Sequence, residues 1–288
     1  TRTWTTGALH NAINIGNTTT ISGAQAFTIT FNTIGFASNT QTGTYTLTGS
    51  TGKFIGIVFN GTTGGTLTNV FNNTVAAVSL TGVTSSGTST ASPMIGLLIT
   101  NGLTNTSLNT VGSQATTGSL TFSTTTTTAT DVYGIFNFSV DDWTAASNNV
   151  GGISVTNLGA SGTFVLFGMR ANTSTTKVWN ATSNLVGGTV ANSIQLTSTG
   201  AASQVVGMMT PNAISTWTSN TVRNLTNNNG TGTTITASVI GMLFTSTTPN
   251  QTLSQNTIFN LTNTNTTAAT IVTMRAPAQT AIGKSIFG

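Results

Sequence analysis

The chain contains no cysteine, so it can form neither a disulfide nor a thiolate metal site. Charge is nearly as scarce. Charged residues make up 3% of the 288 residues, where about 25% is usual. There is no glutamate, and the acids are Asp131, Asp141 and Asp142 alone. That shortage excludes chemistry built on clustered carboxylates. Glycoside hydrolysis takes two carboxyls across the scissile bond, and polysaccharide lyases add calcium-binding acids and cationic bases. Asp141 and Asp142 are neighbours, and the sequence places them in the turn before Trp143. His10, the single histidine, builds no metal site alone. It also lacks a nominated nucleophile and orienting group for a triad. No catalytic residue, cofactor or metal is expected, and the chain does not read as an enzyme.

The seven cations are Arg2, Lys53, Arg170, Lys177, Arg223, Arg275 and Lys284, for a net charge of +4. They are scattered. Nucleic-acid recognition takes several clustered phosphate contacts, so no nucleic-acid partner is expected. No apolar run approaches the roughly 20 residues of a membrane helix, so no membrane span is expected. The near-absence of Lys and Glu, beside so much Thr, Asn and Gly, suggests an extracellular, cell-surface setting.

Thr fills the space that charge leaves, at about a quarter of the chain, followed by Asn, Ser and Gly. Gly, Thr and Asn are poor helix formers. Thr, Val, Ile and Phe suit pleated, half-buried surfaces. The expected fold class is all-β.

The order within the chain is periodic. Asn followed two residues later by Ile or Val recurs at Asn32, Asn73, Asn109, Asn148, Asn184, Asn220 and Asn256, mostly 36 residues apart. A second marker keeps step, an apolar strand centred on glycine: FIGIVF (54–59), MIGLLI (94–99), VYGIFNF (132–138), LFGMRA (166–171), VVGMMT (205–210) and VIGMLF (239–244). A degraded copy, TIVTMRA, stands at 270–276. Trp143, Trp179 and Trp217 precede their asparagines by five, five and three residues, which leaves open whether they lie at one depth.

A unit this short cannot bury its own apolar face, so copies must stack as coils of a solenoid. The expectation is about seven coils of about 36 residues, one coil per repeat, with two smaller coils per repeat as the alternative. Ile57, Phe59, Leu97, Ile99, Ile135, Met169, Met208, Met242, Val222 and Ile258 are the expected core. The recurring asparagine should sit at a sharp corner. There a left-handed backbone suits it, and its amide can bond its copies above and below as in stacked cross-β ladders. The organisation expected is a solenoid over 1–276, with 1–26 as a degenerate first coil. A strand-like tail over 277–288 would act as a cap or an inter-subunit contact.

The stretches VVGMMTPNAISTWTSNTVRNLTNNNGTGT and VIGMLFTSTTPNQTLSQNTIFNLTNTNTT carry a resemblance. They are similar to right-handed parallel β-helix repeats of large secreted bacterial surface proteins and adhesins, over residues 27–276. The resemblance implies a right-handed parallel β-helix. With chemistry excluded, the expected role is an extracellular structural protein assembling head to tail with itself into a surface filament or sheath. The alternative is a stalk or glycan-binding domain of a larger adhesin. Twelve Asn-x-Ser/Thr sequons occur, about as many as chance gives in so Thr-rich a chain. Asn60, Asn229 and Asn250 are the glycosylation candidates among them. Rows such as TYTLT (44–48) also raise ice binding, which wants Thr-x-Thr at one fixed place per repeat. TITAS, TLSQN, SLNTV and AASNN do not hold it.

Overall fold

The structure is a computed structural model describing residues 2–3, 8–16, 26–159, 162–172, 174–200, 202–231, 238–246, 251–265, 270–275 and 285–287. It is an all-β solenoid whose paired strands are all parallel, with a single 3-10 turn at Ser89–Ala91 as its only described helical element. Each repeat makes one coil. Thus Met94 lies beside Val132, one repeat later, and Val132 beside Leu166. The coil count is slightly lower than expected. Seven asparagines in a column enclose six intervals, so about six complete turns separate Asn32 from Asn256.

Three sheets run along the axis. The glycine-centred strands form an eight-stranded sheet from Leu9–Ile15 to Ile271–Arg275. The tryptophan-bearing strands form a second eight-stranded sheet, from Thr28–Thr30 to the tail strand Ser285–Phe287. That tail strand pairs with Thr252–Ser254 of its own chain. The remaining tail residues lie outside the described set. The third sheet has thirteen strands. Each coil enters it by a short strand after the asparagine, such as Asn149–Gly151. It continues through a longer one, such as Ile153–Asn157. In Thr221–Asn228 and Thr257–Asn263 the two are fused.

The core fills the space between the sheets. Nine of the ten expected core residues are buried there, and Ile258 packs against it half-buried in the last described coil. Alternation along the glycine strand breaks once, at the glycine. Phe54, Ile57 and Phe59 enter the main core, whereas Ile55 and Val58 belong to a separate apolar cluster. The break repeats in register along the sheet, because neighbouring strands carry it at matching places.

The glycine itself is there for space. A Cβ on Gly134 would stand 2.5 Å from Val150 Cγ1 and 2.5 Å from the Gly168 carbonyl oxygen. Gly56, Gly96, Gly168, Gly207 and Gly241 meet Val75, Val111, Val186, Val222 and Ile258 in the same way. These are the residues two places after each asparagine. The two sequence markers are therefore halves of one contact, a hole in one sheet and the branched side chain that fills it.

The unequal tryptophan offsets have a packing reason. Trp143 pairs with Trp179, their rings stacked at 4.8 Å and 19°. In the next coil Trp179 faces Ser215, and Trp217 faces Ala181. The coils read Trp-x-Ala, Trp-x-Ala and then Ser-x-Trp, so bulk and gap exchange places within the coil. All three indoles are fully buried. Trp179 and Trp217 meet edge to face at 4.7 Å and 70°, a favourable arrangement for aromatic quadrupoles.

Candidate functional site

The seven asparagines form one continuous column. Asn184 shows the unit. Its Nδ2 donates to Asn220 Oδ1 at 2.9 Å and to the Ala145 carbonyl at 2.9 Å. Its backbone N–H donates to the same Asn220 Oδ1 at 3.0 Å. Its own Oδ1 accepts the backbone N–H and the Nδ2 of Asn148, at 3.0 and 2.9 Å. Every side-chain donor and acceptor site is filled, which lets a fully buried amide exist without penalty. The amide-to-amide bond repeats from Asn32 through Asn73, Asn109, Asn148, Asn184 and Asn220 to Asn256.

The corner differs from the expectation in one respect. The left-handed residue is the one before each asparagine: Phe31, Asn72, Leu108, Ser147, Ser183, Ser219 and Gln255 all have φ between 53° and 58°. The asparagine itself is absent from the positive-φ residues. Its role is to bond, and its neighbour makes the bend.

The column has a direction. Along the column each backbone N–H and one Nδ2 hydrogen point to the amide oxygen of the next, C-terminal asparagine, while the second Nδ2 hydrogen goes to a backbone carbonyl, as from Asn184 to Ala145. At that end, no described residue accepts the Asn256 backbone N–H. At the other end, no described residue donates to Asn32 Oδ1. The interior asparagines have both satisfied.

The charged residues are spread over distinct anchoring tasks. Asp141 accepts the Gly64 N–H on both oxygens, at 3.1 and 3.0 Å. Asp142 Oδ1 accepts the Val178 N–H at 2.7 Å. Both sit in the turn before Trp143, and each ties down a different loop. Asp131 Oδ2 accepts the Tyr133 hydroxyl at 2.6 Å and the Ser89 N–H at 3.4 Å, holding the 84–93 loop to the glycine sheet. Arg170 completes the cluster. Its Nη1 donates to the Tyr133 hydroxyl at 2.8 Å and lies 3.7 Å from Asp131, the single ion pair among the described residues. Its guanidinium also covers the Phe167, Phe136 and Tyr133 rings at 5.0, 5.4 and 5.8 Å. His10 lines a cavity of about 520 Å³ in the N-terminal mouth of the solenoid, beside Asn11, Asn32 and Tyr45. No group of three metal-ligating side chains occurs among the described residues.

Burial pushes the Asp131 carboxyl above its ordinary range, against the opposing pull of Tyr133, Arg170 and Ser89. Burial likewise raises the Tyr133 phenol and lowers the Lys53 ammonium. The sign for Asp131 follows. A carboxyl raised in the folded state favours folding most below its unfolded pKa of about 3.9 and loses that contribution as pH rises through the folded value. Asp131→Asn keeps an acceptor for Tyr133 and removes the titration. Urea unfolding from about pH 3 to about pH 7 should show a shallower decline for the variant than for the parent chain.

Of the glycosylation candidates, Asn60 is buried at 8% exposure. Its Nδ2 donates to the Gly16 carbonyl at 2.6 Å, and its Oδ1 accepts from Asn101. A glycan there would displace both bonds. Asn229 is exposed in a left-handed turn. Asn250 lies outside the described residues. No known protein family, curated protein or solved structure matches this chain.

Proposed function

We propose that this chain is a passive extracellular structural protein whose copies stack end to end into a filament or sheath at a microbial surface. The observation that supports this most is the polarity of the asparagine column. Among the described residues, donors at Asn256 and an acceptor at Asn32 have no partner, so the two ends of the column are complementary. The apolar ends match as well. Ile258, Leu261 and Met274 are half-buried against the core at one end, and Ile13, Ile15 and Phe27 at the other. A contact between unlike ends does not close on itself and therefore propagates. A net charge of +4 on 288 residues offers little repulsion between copies. The anchored loops and satisfied ladder give stiffness, and a neutral Thr/Asn exterior faces water.

Electron microscopy and sedimentation of the purified 288-residue protein test this. Fibres whose mass grows with concentration are expected. Asn256→Asp puts acceptors where the column needs donors, and should shorten or abolish the fibres while the circular dichroism keeps its β form. Discrete rods of one-domain length at every concentration would sink the filament. They would favour the adhesin-stalk reading, in which the solenoid holds another module away from the cell.

A further inference from the structure

The longer strands of the third sheet carry paired outward hydroxyls on four successive coils, a run that the glycine sheet lacks and that the tryptophan sheet shows only at Thr28/Thr30, Thr216/Thr218 and Thr252/Ser254. They read YTLT (45–48), VSLT (78–81), LTFS (120–123), ISVT (153–156), IQLT (194–197), LTNN (225–228) and LTNT (261–264). Pairing brings Thr46 beside Ser79, Ser79 beside Thr121, and Thr121 beside Ser154, with a register shift following Phe122 on the strand 120–124. The first and third residues of each quartet point inward. The second and fourth face outward and are half-buried or exposed, apart from the buried Thr226. The second positions thus form one column of side chains over seven rungs, whereas the column of fourth positions is interrupted by a register shift between Thr81 and Ser123; the first four strands bear a hydroxyl at both positions. The outer face carries no charged and no aromatic side chain. The charged cluster and the apolar aromatic cluster both sit on the glycine sheet.

The spacing is set by the sheet. Rungs are about 4.8 Å apart, and alternate residues along a strand about 6.7 Å apart. Two hydroxyl-to-water bonds of about 2.75 Å meeting at a tetrahedral angle span about 4.5 Å. One water can therefore bridge hydroxyls on adjacent rungs with little distortion of tetrahedral order. Where rotamers bring the oxygens closer they bond directly, as Thr121 Oγ1 does to Ser79 Oγ at 2.8 Å. Thr is stiff about χ1, so its methyl and hydroxyl are presented in fixed places. The methyls restrict the orientations of first-shell water. Absent charges leave that water free of radial fields.

We propose that this face orders water into a lattice-like sheet and adsorbs to ice. A crystalline polysaccharide has a similar flat periodicity, but recognising sugar rings favours aromatic platforms, and this face has none. The self-satisfied bond from Asn228 Nδ2 to Thr197 Oγ1 at 2.9 Å marks the weaker half of the array. The rungs from Thr46 to Thr156 form the stronger half. This inference is independent of filament formation, since the face lies along the side of the solenoid.

The test is ice-crystal shaping and thermal hysteresis of the intact protein, with Thr121→Tyr and Ser154→Tyr on the face and Thr144→Tyr on the outer side of the tryptophan sheet as control. The parent chain should shape ice. Either face variant should fall to the buffer baseline with unchanged circular dichroism, and the control should keep the parent's activity. Thr121→Val, which keeps the methyl without the hydroxyl, should retain part of it. A folded parent chain that leaves ice growth unaltered overturns the proposal, whatever the variants do. So does loss of activity in the control equal to that on the face, or binding to crystalline cellulose in place of ice.

Discussion

Asn184→Ala is expected to remove a large part of the stability of the solenoid. Truncation strands the Asn148 N–H and Nδ2, the Ala145 carbonyl and one valence of Asn220 Oδ1 inside a fully buried corner. Each orphaned buried group costs about 1–3 kcal/mol. The sum, about 4 kcal/mol or more, is a large part of the about 5–15 kcal/mol that holds an ordinary domain folded. The midpoint in guanidinium should drop accordingly. Asn32→Ala, at the half-buried end of the column, should cost far less. Asn184→Asp separates bonding from shape. Its second oxygen would face Asn220 Oδ1 and the Ala145 carbonyl, both acceptors. Burial and those facing oxygens raise the folded pKa. The variant should therefore be most stable below the unfolded value of about 3.9 and lose stability as pH rises through the folded one. Equal midpoints for Asn184→Ala and Asn32→Ala would contradict the cooperative column.

Gly134→Ala is the second large effect expected, at about 3 kcal/mol of destabilisation from one added methyl. The new Cβ meets Val150 Cγ1 and the Gly168 carbonyl, each at 2.5 Å. A side chain can shift, whereas the carbonyl is tied into the next rung. Adding Val150→Ala should relieve only the first clash. The double variant is then expected to be more stable than the sum of the single costs predicts, by about 1 kcal/mol, as contacting residues generally couple. Strict additivity would mean that glycine and valine do not share the space.

The sequence reads clearly where a coil has constant length. Between Asn148 and Asn256 every interval is 36 residues, and the core residues there follow directly from the markers. Val222 and Met208 are fully buried, as the repeat predicts. The hydroxyl face was hidden by variable spacing. Six residues separate Asn73 from Ser79 and Asn148 from Ser154, but the loops 113–119 and 188–193 lengthen the same tract after Asn109 and Asn184. Aligning on asparagine therefore scattered the Thr-x-Thr pairs, and the fixed place that ice binding needs is visible only in register. The glycine–valine contact was hidden for a related reason: its halves lie on different sheets. The bend residue before each asparagine could not be read either, because Phe, Leu, Ser, Asn and Gln occupy it in turn. Backbone geometry selects that position, and no single side chain marks it.

The one-way asparagine column also has an electrical consequence. Strand dipoles in a sheet largely cancel. Side-chain amides that all point along the same axis add, each about as polar as a peptide group of about 3.5 D. In a chain so poor in ions, little nearby charge offsets that sum. The C-terminal pole of the rod is positive and the other negative, so a solution of these rods should align in an applied field and show a linear dichroism whose amplitude follows the size of the moment, not the net charge.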